Sequence, residues 1–68
     1  MIEISYNRLW KLLIDLKLNK TQLREITGIG TGTLSKLSKN EPVGLEVIAK
    51  ICLALKCKIE DVVEFIYE

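Results

Sequence analysis

Histidine is absent from this chain, proline occurs once and cysteine twice. Without histidine there is no imidazole base near neutral pH and no Cys/His zinc site. The two cysteines, Cys52 and Cys57, are too few to staple a small domain. They read as reduced thiols of a cytosolic protein, set on a helix and its exit and pointing to different sides. Aromatic residues are scarce: Tyr6, Trp10, Phe65 and Tyr67. They do not interleave with basic residues, which argues against a stacking platform for single-stranded nucleic acid. No apolar run approaches the roughly 18 residues of a membrane span. The start of the chain lacks the cationic, apolar and small-residue order of a secretory signal. A cytoplasmic location and no membrane partner are therefore expected.

Catalytic groupings are also missing. Glu60 and Asp61 are adjacent, so on a helix their carboxylates point apart. Ser35 and Ser38 have no histidine to activate them. Gly28, Gly30 and Gly32 alternate with other residues, but they follow a helical pattern rather than a strand, and no βαβ unit surrounds them. No enzyme, cofactor, metal or small-molecule substrate is expected.

What is present suits one small globular domain over residues 1–68, with 49% apolar and 28% charged residues. The net charge is only +1, but it is unevenly spread. Residues 1–16 are neutral. Residues 17–40 carry Lys17, Lys20, Arg24, Lys36 and Lys39 against Glu25 alone, a balance of +4. Residues 41–68 carry three lysines against six acids, a balance of −3. A basic middle segment is the footprint expected of a surface that meets phosphates.

The apolar spacing predicts five helical segments. Residues 6–17 form the first, with Leu9, Leu12, Leu13 and Leu16 as its stripe, Trp10 and Ile14 widening it, and Ser5 as N-cap. Asn19-Lys20-Thr21-Gln22 has the capping-box pattern, with Leu18 and Leu23 placed as a hydrophobic staple. The second helix runs from there to about Thr27, with Leu23 and Ile26 inward. Gly28 stops it by taking a positive φ, and Ile29 plugs the corner. The third helix, 31–38, points Leu34 and Leu37 inward. Its other side shows Thr31, Thr33, Ser35, Lys36 and Ser38. Pro42 bars continuation, and Gly44 caps a fourth helix over 45–56, whose inner stripe of Ile48, Ile51, Cys52 and Leu55 is joined by Leu45, Ala49 and Ala54. Residues 59–63 make a last helical turn, with Ile59, Val62 and Val63 closing the core. The apolar 64–68 tail is β-prone and can pair either with residues 2–5 or with another copy of itself.

The second and third helices joined across Gly28, with Leu23, Gly28, Ile29, Leu34 and Leu37 at fixed spacing, resemble the Cro and phage-repressor (XRE-like) helix-turn-helix regulators. Glu41-Pro42-Val43-Gly44-Leu45 and the segment from Leu55 to Val62 look like the family's later helices, so the resemblance spans nearly the whole chain. It implies an all-α, five-helix, phage-repressor-like fold with room for a short terminal strand, and a motif at about 19–39. It also implies a homodimeric regulator, most simply a repressor, that binds double-stranded DNA in the major groove at a near-palindromic operator. Lys20 would then face a phosphate. Thr31, Thr33 and Lys36 would lie nearest the base edges, and Ser35, Lys39 and Asn40 would meet the backbone.

Three positions depart from the family pattern. Gly30 replaces a serine-like cap, Gly32 replaces a longer polar reader, and Arg24 replaces a small residue between helices. A sparse reading face follows, with modest specificity per monomer and with dimerisation or DNA shape supplying the rest. The alternative is an antitoxin or adaptor that keeps the fold and binds a protein partner.

Overall fold

The computed structural model describes residues 1–67. The element order is β1 (Ile2–Ser5), α1 (Asn7–Asp15), α2 (Lys20–Thr27), α3 (Thr31–Ser38), α4 (Leu45–Leu55), a 3-10 turn (Ile59–Asp61) and β2 (Glu64–Tyr67). One correction to the expected five-helix architecture follows. The fifth segment is a single 3-10 turn, so there are four α-helices among the described residues. The tail settles on the first of its two expected partners, because β2 pairs antiparallel with β1 and Ile4 lies opposite Phe65. The last residue of the tail, Glu68, lies outside the described residues.

The core is assembled from every helix. Leu9 and Leu13 of α1, Leu23 of α2, Leu37 of α3, and Ile48 and Ile51 of α4 are buried, together with Tyr6, Ile29 and Val62. Tyr6, missed by the helical spacing, is 2% exposed. Burial of its ring is compatible with its hydroxyl because the hydroxyl donates to the Glu41 carbonyl at 2.7 Å. This ties the start of α1 to the loop after α3. Several expected core residues are instead outside. Ile14 is 72% exposed and Leu45 is 74% exposed. The 3-10 turn packs on α1 but leaves its Ile14 flank uncovered. Ile26 is half exposed because Leu23 and Thr27, one helical turn apart, form the buried line of α2.

Helix boundaries are set by backbone devices that composition conceals. α1 begins at Asn7, one residue later than expected, with Tyr6 at the cap position, and the Ser5 hydroxyl accepts from the Asn7 amide at 3.2 Å from outside the helix. It ends at Asp15 because Lys17 turns left-handed, with φ 59°, and the Leu18 amide reaches back to the Leu13 carbonyl at 2.8 Å. Asn40 and Lys56 do the same after α3 and α4, where Glu41 donates to Lys36 and Cys57 donates to Cys52. Amides reaching five residues back across a left-handed residue satisfy carbonyls that a helix end would otherwise leave open.

The last of these devices also corrects the placement of the cysteines. Both are free and half-buried, but the thiols interact instead of pointing apart. The Cys57 thiol is pushed up from 9.0 to about 11, first by burial, then by Cys52 beside it and by the charge of Asp61. Burial also raises the Tyr6 phenol above 10.0, against a smaller opposing effect of a hydrogen bond with the Val43 backbone. In both cases the fold favours the neutral, protonated form. The associated stability is present below the unfolded-state pKa and is lost as pH rises through the folded-state value. The melting temperature should therefore hold steady up to about pH 9 and fall toward pH 11. Calorimetry of Cys57→Ala should show a shallower alkaline decline.

Candidate nucleic-acid interface

The geometry of the basic segment starts at its N-terminal cap. Asn19 Oδ1 accepts from the Gln22 amide at 2.8 Å, and Gln22 Oε1 accepts from the Asn19 amide at 2.9 Å, a complete capping box. α2 therefore begins at Lys20 for a local reason that is legible in the residues. Its other end is held from inside. The buried Thr27 hydroxyl donates to the Leu23 carbonyl at 2.6 Å and accepts from the Ile29 amide at 3.5 Å. Gly28 takes φ 74° and donates to Arg24. Ile29 is buried at the corner, as expected, and Gly30 begins α3 in extended geometry with no side-chain cap.

α3 is anchored by Leu37, which has no solvent exposure, and by half-buried Leu34. With roughly 100° per residue, Thr31, Gly32, Ser35, Lys36 and Lys39 face away from Leu37. All five are exposed. Thr33 differs. It lies about 40° from Leu37 on the helical wheel and is half-buried, so it sits at the edge of the outward face rather than at its centre. Asn40 is exposed, but its Oδ1 accepts from the Tyr6 amide at 3.3 Å, so its carbonyl holds the junction of β1 and α1. Lys20 does not extend freely. Its ammonium donates to the Ser38 hydroxyl at 3.2 Å and stands 4.4 Å from the centre of the Trp10 ring.

The structure thus brings Lys20, Ser38 and the outward residues of α3 onto neighbouring elements. Arg24, the departure on α2, is half-buried. Among the described residues, the ion pair joins Arg8 to Glu64 at 3.4 Å and uses none of these cations. Lys36, Lys39 and Arg24 keep their charge available to a ligand. No cluster of three or more metal-ligating side chains occurs among the described residues. Two participants escaped the sequence reading. The helical spacing puts Trp10 beside the apolar stripe of α1 and Ser38 on the open face of α3. No spacing rule links either of them to Lys20, since the three residues sit on three helices.

Residues 8–68 of this chain match the family model for the Cro/C1-type HTH DNA-binding domain. The chain belongs to that family. A solved structure of a transcriptional regulator, VanUg, shares 46% sequence identity, with a TM-score of 0.94. That match covers 98% of this chain and 89% of the other. No curated protein matches the chain. α2 and α3 are joined across Gly28, and no helix among the described residues is long and apolar enough to cross a membrane.

The turn can be tested without DNA. A Cβ at Gly28 would meet nothing within 4 Å, so a substitution there is penalised by its positive φ alone. Gly28→Ala should destabilise by about 1–2 kcal/mol, and Gly28→Asn by less, because asparagine tolerates the left-handed region. Equal losses in urea titrations would show that some other contact sets the cost.

Proposed function

We propose that residues 1–68 act as one DNA-binding regulatory domain, a repressor that binds a near-palindromic operator as a homodimer in the cytoplasm. The observation that carries this reading is the outward face of α3. It holds hydroxyls and two lysines with no apolar surface to bury, and it is presented by a turn whose geometry is fixed from within. In this reading α3 lies in the major groove, with Thr31 and Lys36 toward base edges and Thr33 at the margin. Lys20, Ser35 and Lys39 face phosphates, and Asn40 offers only its amide nitrogen. Gly32 leaves a gap in the reading face, so each monomer discriminates modestly and the pairing of two half-sites adds the rest.

Support for a dimer comes from a separate apolar surface. An open groove is lined by Tyr6, Val43, Leu45, Ile59 and Phe65, among others, and none of its lining residues is charged. The strand register sets Ile2 opposite Tyr67 on the sheet face that also carries Ile4 and Phe65. Ile2, Leu45, Ile59, Phe65 and Tyr67 are each at least half exposed. Together they expose on the order of 600 Å² of apolar surface, against roughly 800 Å² per partner in a standard interface. A second copy of the chain, related by a two-fold axis, would cover it with the same residues. Leu45→Glu should convert a dimer to a monomer in sedimentation experiments with little loss of folding, since Leu45 is 74% exposed already. An unchanged association state would place the interface elsewhere.

The DNA reading is tested by titrating labelled duplex in fluorescence anisotropy. Affinity for random duplex should fall steeply between low and physiological salt. Lys36→Ala should weaken operator binding by more than about 1 kcal/mol, and Lys39→Ala should lower the salt slope by about 1. The gap at Gly32 and the net charge of only +1 favour the rival reading, an antitoxin or adaptor that holds a protein. Absence of duplex binding at low salt would select it.

A further inference from the structure

Lys20 occupies an electrostatically awkward position. It is the first residue of α2, at the positive end of the helix dipole, and the first turn of that helix contains no acid. A cation there does not stabilise the helix. A lysine stem also has enough rotamer freedom that an unrestrained ammonium would spread over solvent. Here it is confined from two sides by other helices. The π face of Trp10 on α1 lies 4.4 Å from the ammonium, and the Ser38 hydroxyl at the end of α3 accepts from it at 3.2 Å. Both contacts leave the positive charge uncompensated, since neither partner is an anion. Lys20 and Ser38 are both exposed, and Trp10 is half-buried.

We infer that Trp10 is a positioning residue for nucleic-acid binding: its indole face holds the Lys20 ammonium in place to receive a backbone phosphate beside α3. This rests on the DNA reading above and specifies how one of its phosphate contacts is built. An ammonium already held between three helices loses less freedom on binding than a solvated one. The aromatic face attracts the cation without neutralising it, which a carboxylate in the same place would do. The contact also couples α1 to the motif, so the orientation of the phosphate contact follows the packing of all three helices.

A double-mutant cycle read by duplex anisotropy at fixed salt tests this inference. Trp10→Leu should lower affinity about two- to five-fold, the range expected for an exposed cation–π contact. In a Lys20→Ala background, Trp10→Leu should have almost no further effect. Trp10→Phe keeps an aromatic face and should restore most of the affinity. The same fold-loss from Trp10→Leu in both backgrounds would overturn the proposal and leave Trp10 a packing residue. Trp10 is the chain's single tryptophan, so its emission reports on this site without any substitution. Emission should change as duplex saturates the protein and revert at high salt. Constant emission at saturation would also overturn the inference. If the unaltered protein fails to bind duplex at low salt, the DNA reading falls and this inference falls with it. Binding with independent effects of Trp10 and Lys20 removes the inference alone.

Discussion

The relation between α2 and α3 depends on one buried hydroxyl and one left-handed residue. Thr27 Oγ bonds back into its own helix and also accepts the amide of Ile29, so it spans the turn from the inside. Gly28 takes the left-handed conformation at the end of α2 and stops the helix there. Ile29 then fills the corner and Leu37 meets the core without solvent exposure. If this corner opened, α3 would lose the support that turns its polar side outward. The rest of the domain serves that corner. α4 packs against α2, and Tyr6 pins the loop that follows α3.

Charge distribution and packing divide the molecule. The cations of residues 17–40 sit on α2, α3 and their flanks, whereas six of the nine acids fall within residues 41–68. The cation nearest the junction of three helices, Lys20, is held by an aromatic face and a hydroxyl. A net charge near zero is therefore compatible with a nucleic-acid surface, because phosphate attraction acts locally and is screened beyond about 10 Å. Five of the exposed apolar residues, Ile2, Leu45, Ile59, Phe65 and Tyr67, lie on one sheet face or around the groove beside it.

Local chemistry made much of the motif legible. The capping box at Asn19, the stop at Gly28 and the inward Leu23 and Leu37 each depend on residues within a few positions of one another, and all appear as read. The outward set on α3 follows from the same helical period, apart from Thr33. Thr33 stands about 40° from Leu37 on the helical wheel, so the period itself turns it toward the buried side. Helix ends were less legible. Lys17, Asn40 and Lys56 take the left-handed region in place of glycine, and only the five-residue amide bonds across them show why.

The amino-acid order by itself determined where helices start and turn, which side of each faces inward in the middle of the chain, and where positive charge accumulates. Those properties arise from neighbours in sequence, through side-chain caps, helical period and composition. Tertiary structure alone decided the rest. It closed the tail onto residues 2–5, reduced the fifth helix to one 3-10 turn, and buried Tyr6 by finding its hydroxyl a carbonyl 35 residues away. It left Ile14, Ile26 and Leu45 in solvent and set Trp10 against Lys20. Each of these depends on which surfaces remain to be covered once the helices have packed, and no local rule in the chain contains that information.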